Sequence, residues 1–324
     1  MKYTTLGRTG LDVSRIAFGT WQLSGEWGTF DEDAAVGAIH KAWDSGITIF
    51  DTAQAYGGGR AEGVLGKGLR EVLARERDNV VIATKGGIEP GSDQARRGDR
   101  DFLRAGVDQS LSKLGIDFID LYQVHWPDTD TPFSETAGAL KELVDEGKIG
   151  HVGVSNYDVA QMSEFSQTFP VETLQPPYHL FRRAIESDVL PYTRENDIGV
   201  LAYSPLGSGL LTGAMDSRTT FEDDDWRSQA TAFTGESFEK NLAVVEELKK
   251  LAADKGVQVS QLAIAWVLHQ PGVHVAIVGA RSDKNIEASA AAADVELSSE
   301  DLARIEEIVA QGVEVSGATP EGVD

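Results

Sequence analysis

Short runs of β-branched and aliphatic residues recur eight times along this chain, each followed by a longer stretch with apolar residues three and four apart. The runs span 16–20, 47–51, 80–85, 119–125, 149–155, 171–175, 198–204 and 273–279. Nearly continuous apolar character suits parallel strands buried on both faces, and the helical spacing between them supplies the crossovers. Eightfold strand–helix alternation predicts an α/β fold, a single closed (β/α)8 TIM barrel. The rival is an open doubly wound sheet, which usually has fewer strands and a Gly-rich fingerprint after the first one. Here the first strand runs instead into Gly19-Thr20-Trp21-Gln22.

Helices are expected at 32–43, where Asp31 is placed to cap, and at 60–73, 100–114, 132–144 and 158–165. Gly46, Gly115, Gly147 and Gly199 stand where a helix gives way to the next strand, the usual place for a left-handed residue. An N-terminal β-hairpin (3–6 and 11–14 around Gly7-Arg8-Thr9-Gly10) precedes the barrel. An extra C-terminal helix (294–312, opening Ser298-Ser299-Glu300-Asp301) follows it. Segment 207–238 is too long for a plain connector. The chain reads as one domain, 1–324, with 313–324 a mobile tail.

Charge and composition narrow the partners. With 29 basic and 52 acidic residues the formal charge is −23. Such a chain repels phosphate backbones and anionic lipid, and Arg96-Arg97 and Arg182-Arg183 are only isolated pairs. Neither nucleic acid nor membrane is an expected partner. The acid excess fits an ordinary acidic enzyme better than adaptation to a salty cytoplasm, where carboxylates would keep the surface hydrated. No cysteine is present, which excludes disulfides, thiol nucleophiles and thiolate metal sites. The start has no apolar leader and no run reaches membrane-spanning length, so a soluble cytoplasmic protein is expected. His40, His151, His179, His269 and His274 show no metal-ligand spacing, and no metal is expected.

In a barrel of this kind the active site lies at the C-terminal ends of the strands. Four complementary side chains fall there: Asp51, Tyr56 five residues later, Lys85 and His125. A phenol is a weak acid; an adjacent ammonium favours its phenolate, and an aspartate keeps that lysine charged and in place. The set makes a tyrosine able to give or take a proton without a metal. Taken singly, each has an ordinary reading: a solvated lysine, a capping aspartate, a core histidine, a tyrosine over a turn. Delivery of all four to one rim favours catalysis. No carboxylate pair, metal cluster or Gly-x-Ser-x-Gly supports a hydrolase.

The motifs Gly19-Thr20-Trp21, Phe50-Asp51-Thr52-Ala53-x-x-Tyr56-Gly57, Ala83-Thr84-Lys85 and Leu121-Tyr122-Gln123-Val124-His125-Trp126 resemble those of the aldo-keto reductases. Gly153-Val154-Ser155-Asn156, Gln175-x-x-Tyr178, Tyr203-Ser204-Pro205-Leu206 and Val278-Gly279-Ala280-Arg281 continue the resemblance, which runs from about residue 3 to 302. The run Tyr203-Ser204-Pro205-Leu206-Gly207-x-Gly209-Leu210-Leu211 is most similar to the long-loop bacterial and potassium-channel-β-like branch. The resemblance implies an oxidoreductase that reduces small aldehydes or ketones by direct hydride transfer from NADP(H), with NAD(H) as the less favoured cofactor. Tyr56 would be the general acid, Lys85 and Asp51 its supporting pair, and His125 the substrate-orienting group. Trp21, Tyr56, His125 and Trp126 would line the substrate pocket, and Trp27 and Trp226 would either close over it or anchor loops.

For the cofactor, the resemblance implies Thr20, Trp21 and Asp51 at one end. Ser155, Asn156 and Gln175 would hold the carboxamide, and Tyr203 would stack on the nicotinamide. Ser204, Leu206, Gly207, Ser208, Gly209 and Leu210 would form a phosphate loop, since small residues let amides approach a pyrophosphate. Gly279, Ala280, Arg281, Ser282 and Asn285 would meet the adenosine end, with Arg281 and Ser282 favouring a 2′-phosphate. The alternative within the family is a cofactor-binding regulatory or sensor subunit with little turnover. The complete set of four polar residues favours the enzyme. Oligomeric state is open.

Overall fold

The computed structural model describes every residue except Glu26, Trp27, Thr29, Asp93, Gln94, Asp224, Arg281, Ser282 and 316–324. Strands β1 (Tyr3–Thr5) and β2 (Asp12–Ser14) form an antiparallel hairpin. Eight parallel strands follow: β3 (Ile16–Gly19), β4 (Ile49–Asp51), β5 (Val81–Gly86), β6 (Ile119–Val124), β7 (Ile149–Ser155), β8 (Thr173–Gln175), β9 (Gly199–Ala202) and β10 (Val275–Gly279). β3 pairs with β4 on one side and β10 on the other, closing the sheet on itself. Each of the eight expected runs overlaps one of these strands, β5 alone passing its run by one residue, Gly86.

Side-chain alternation sorts the strand residues into two cores. Ala17, Ile49, Val81, Ala83, Leu121, Leu201, Val275 and Ile277 fill the barrel, joined from below by Leu6 and Val13 of the hairpin. The outward residues Ile16, Phe18, Phe50 and Ile82 pack against the helices. One pleat above Ala83 and Leu121 the inward positions turn polar, and Lys85 stands opposite Gln123. The change from apolar to polar along the strands therefore sets the floor of the site.

The helices are α1 (Glu32–Asp44), α2 (Arg60–Glu76), α3 (Arg100–Leu114), α4 (Phe133–Asp145), α5 (Val159–Phe165), α6 (Val189–Glu195), α7 (Gly235–Asp254), α8 (Val259–His269), α9 (Asp283–Ala291) and α10 (Ser299–Val309). Asp31 caps α1 through the amides of Asp33 and Ala34. Asp158 with Gln161 caps α5, and Ser298 with Asp301 caps α10. α10 is the extra helix beyond the barrel. Two helices, α7 and α8, precede β10. Residues 262–268 of α8 are all buried, so the helix carries no polar stripe for its period to register.

Two further expectations need correction. Gly199 is not in the left-handed region; Asp197 takes that turn at φ 51°. Gly199 lies in β9 under the hairpin, where a Cβ would stand 2.8 Å from Leu6 Cδ1 and 2.7 Å separates Arg8 N–H from the Asp197 carbonyl it binds. The continuous strand in the run 198–204 ends at Ala202: Pro176 has no N–H to give the ladder, only an isolated bridge joins Tyr203 to Pro177, and Ser204 turns left-handed at φ 54°. At the other end, Val313 N–H donates to Asn241 Oδ1 at 2.8 Å and Val315 N–H to the Phe181 carbonyl at 2.6 Å. The rest of the expected tail, 316–324, lies outside the described residues. Among the described residues no helix is long and apolar enough to cross a membrane.

Candidate active site

Asp51 ends β4, Lys85 lies near the end of β5, and His125 follows β6 directly. Tyr56 enters from the turn leading to α2, where Gly57, Gly58 and Gly59 are all left-handed at φ 60°, 62° and 86°. A Cβ on Gly57 would stand 2.3 Å from the Ser24 carbonyl, so the chain turns back only because that residue has none. Lys85 Nζ donates to Asp51 Oδ1 at 2.6 Å, to the Thr52 carbonyl at 3.0 Å and to the Tyr56 hydroxyl at 3.4 Å. Lys85 is fully buried and Tyr56 only 5% exposed. A buried ammonium needs such a set, one opposite charge plus further acceptors.

The second oxygen of Asp51 accepts from Gln175 Nε2 at 2.8 Å and from Gln123 Nε2 at 3.4 Å. His125 meets the Tyr56 ring edge-on, centroids 5.6 Å apart, while Trp21 stacks on its other side at 6.2 Å. All four proposed polar residues thus come together around the phenol. Trp126 follows His125 with the Arg96 guanidinium 5.0 Å above its ring.

A cavity of about 450 Å³ opens above this cluster. Thr20, Trp21, Asp51, Tyr56 and Gln175 line one end of it. Tyr203, Ser204, Leu206, Ser208 and Gly209 line its side, and Gly279, Ala280 and Asn285 its far end. Ser155 and Asn156 support that wall from behind. Ser155 Oγ donates to the Gln175 carbonyl, and Asn156 takes the Tyr203 hydroxyl on Oδ1 while giving Nδ2 to the His125 carbonyl. Of the expected pocket residues, His125 and Trp126 are not part of this wall; His125 reaches the site through its contact with the Tyr56 ring. Gly207 instead packs against the His179 imidazole, and Leu210 is buried in the core behind the loop. Trp226 packs edge-on against Phe233 and serves as a loop anchor. Arg281, Ser282 and Trp27 lie outside the described residues.

Gly207, Ser208 and Gly209 all take positive φ, 54°, 53° and 100°, a tight turn that brings the small residues Ser208 and Gly209 to the cavity wall. Arg227, from far along the same loop, donates to the Ser208 carbonyl at 3.2 Å, pairs with Asp225 and also lines the cavity. It was not legible in the sequence, nor were Gln22, Gln123 and Thr212. Gln123 alone left a trace, as a polar residue in phase with His125 inside an apolar strand. Thr20 Oγ1 and Gln22 Oε1 are buried in the cavity wall with no hydrogen-bond partner. Those orphaned atoms, the small residues Ser208 and Gly209 and the cationic Arg227 suit a dinucleotide with sugar hydroxyls and a pyrophosphate. Among the described residues no cluster of three or more His, Asp or Glu side chains could hold a metal ion.

The sequence model of the Aldo/keto reductase family matches residues 15–310. The chain belongs to that family. Aldo-keto reductase YhdN of Bacillus subtilis (strain 168) is 43% identical over 312 residues, covering 95% of this chain and 94% of the relative. A probable aldo-keto reductase 1 of Glycine max is 34% identical over 325 residues, covering 98% and 92%. Among solved structures, a glycerol dehydrogenase, AKR11B4 from Gluconobacter oxydans, superposes with a TM-score of 0.87 at 39% identity, covering 97% of this chain and 96% of that one. This aldo/keto reductase is therefore an oxidoreductase of a family that generally binds NAD(P)H.

Proposed function

We propose that this aldo/keto reductase converts small aldehydes or ketones to alcohols with NADPH, Tyr56 delivering the proton. The observation that carries the reading is Lys85 Nζ, held at 2.6 Å from Asp51 and 3.4 Å from the Tyr56 hydroxyl, beneath a cavity that Asp51 and Tyr56 line. The dinucleotide, when bound, supplies the hydride that the carbonyl carbon gains. As the carbonyl oxygen gains charge, Tyr56 gives it the phenolic proton, and the Lys85 ammonium stabilises the phenolate left behind. Asp51 fixes Lys85, and Gln123 and Gln175 fix Asp51. His125 and Trp21 flank the phenol and orient the carbonyl oxygen. The phenolate then regains its proton from solvent.

Gln175, backed by Ser155 and Asn156, suits a carboxamide, Tyr203 offers a ring face, and Ser208 and Gly209 with Arg227 suit the pyrophosphate. Preference for NADPH over NADH rests on Arg281 and Ser282, with Lys284 and Asn285 beside them. The assay follows dinucleotide oxidation with a panel of aldehydes and ketones, including the carbonyl counterparts of small polyols suggested by the Gluconobacter relative. Carbonyl-dependent oxidation, faster with NADPH than NADH, is expected. Tight dinucleotide binding with no turnover on any carbonyl would sink the reading.

A further inference from the structure

Behind the barrel wall at Lys85 lies a carboxyl that the reaction outlined above does not use. Glu62, in the first turn of α2, is completely buried. Its Oε1 accepts a hydrogen bond from Thr84 Oγ1 at 2.7 Å. Thr84 is the residue before Lys85, so the two side chains stand on opposite faces of β5. Oε2 is 3.4 Å from where a Cβ on Gly59 would be, against the last of the three left-handed glycines after Tyr56. Oε2 has no partner at hydrogen-bonding geometry; Ser110 and Lys113 face it from α3. Burial, the largest influence, pushes the carboxyl above the usual range.

Keeping an acid in such a place is destabilising, and an apolar side chain of similar size would fill the space at lower cost. What the carboxyl adds is an acceptor for Thr84 and a rigid brace for the Gly59 turn. We propose that Glu62 is a positioning residue: from outside the barrel it ties Thr84 to the turn behind Tyr56, and so holds Lys85 within reach of the Tyr56 hydroxyl. The inference rests on Tyr56 being the proton donor. A slackened wall lets Nζ draw away from the hydroxyl, and the ammonium then stabilises the phenolate less.

The test measures Tyr56 ionisation by ultraviolet difference titration of the protein without cofactor, each variant read against its own Tyr56→Phe counterpart. kcat against pH and the Kd for NADPH are measured alongside. Thr84→Val, which keeps shape and loses the donor, and Glu62→Leu are expected to raise the Tyr56 midpoint by about one pH unit and lower kcat about tenfold. The Kd for NADPH should not move. Glu62→Gln retains the acceptor and should restore both midpoint and rate. A folded Thr84→Val protein with wild-type midpoint and kcat would overturn the proposal, as would a Gln variant as impaired as the Leu one. Failure of the wild type to oxidise NADPH with any carbonyl would instead defeat the reductase reading, and the titration would still decide the geometry.

Discussion

Removing only the hydroxyl of Tyr56 leaves its ring between Trp21 and His125, so Tyr56→Phe isolates the proton from the packing. Dinucleotide binding should survive, while carbonyl reduction falls by about 10²–10⁴, the range for a lost general acid. Near wild-type single-turnover rates would show that the proton comes from elsewhere. Lys85 and Asp51 act on the same hydroxyl through one contact chain, so Lys85→Met and Asp51→Asn should not multiply. The double variant is expected to lose less than the product of the single losses; strictly multiplicative kcat values would separate the two roles. Asp51 and Lys85 were legible because each sits at or beside a strand end, where a polar side chain breaks an apolar run, and Tyr56 because it follows Asp51 by five residues in the same loop. Glu62 was hidden because a glutamate in the first turn of a helix looks like an ordinary solvated one. Arg227 was hidden because loop length erases any register between it and Ser208, which it nevertheless touches.

At the scale of elements, the hairpin and β9 meet at a contact that spacing did not reveal. A Cβ on Gly199 would lie 2.8 Å from Leu6 Cδ1 and Cγ and 3.0 Å from the Leu6 carbonyl carbon, which is backbone and cannot rotate away. Gly199→Ala should therefore destabilise by about 1–3 kcal/mol, the usual range for overpacking. Urea denaturation reads this directly, and an unchanged midpoint would mean the hairpin is free to lift. The sequence identified Gly199 as a glycine with a structural purpose but assigned the wrong one, since close approach and a left-handed turn leave the same letter. The eight strands were legible because both faces of each are buried, which makes the apolar run long enough to stand out. α8 was not, because a helix buried all round has no period of its own, and short α6 offered too few turns to display one.

The molecule as a whole should weaken in mild acid through two imidazoles. Burial pushes His179 down to about 3, and burial with Arg15 nearby lowers His274 as well. Both accept backbone N–H groups on Nδ1, from Phe181 and Val200 respectively, and a protonated ring cannot. Each is kept neutral by folding, so its stabilising share is complete above the unfolded value near 6.5 and is lost as pH falls below it. The slope approaches about 1.4 kcal/mol per pH unit for each group. Unfolding free energies between about pH 7 and 5 should fall less steeply in the His179→Asn, His274→Asn double variant, which keeps both acceptors. Equal slopes would place the acid sensitivity in other groups. A different consequence follows from the pairing of β3 with β10. Residues 16 and 276 are about 260 positions apart, so the ring closes through one of the most distant contacts the chain can make. During synthesis β3 leaves the ribosome early with an unsatisfied apolar edge and must wait for nearly the entire polypeptide before its partner exists. Such an edge invites association between nascent copies, so the yield of native protein should depend more on chaperones and elongation rate than the stability of the finished barrel suggests.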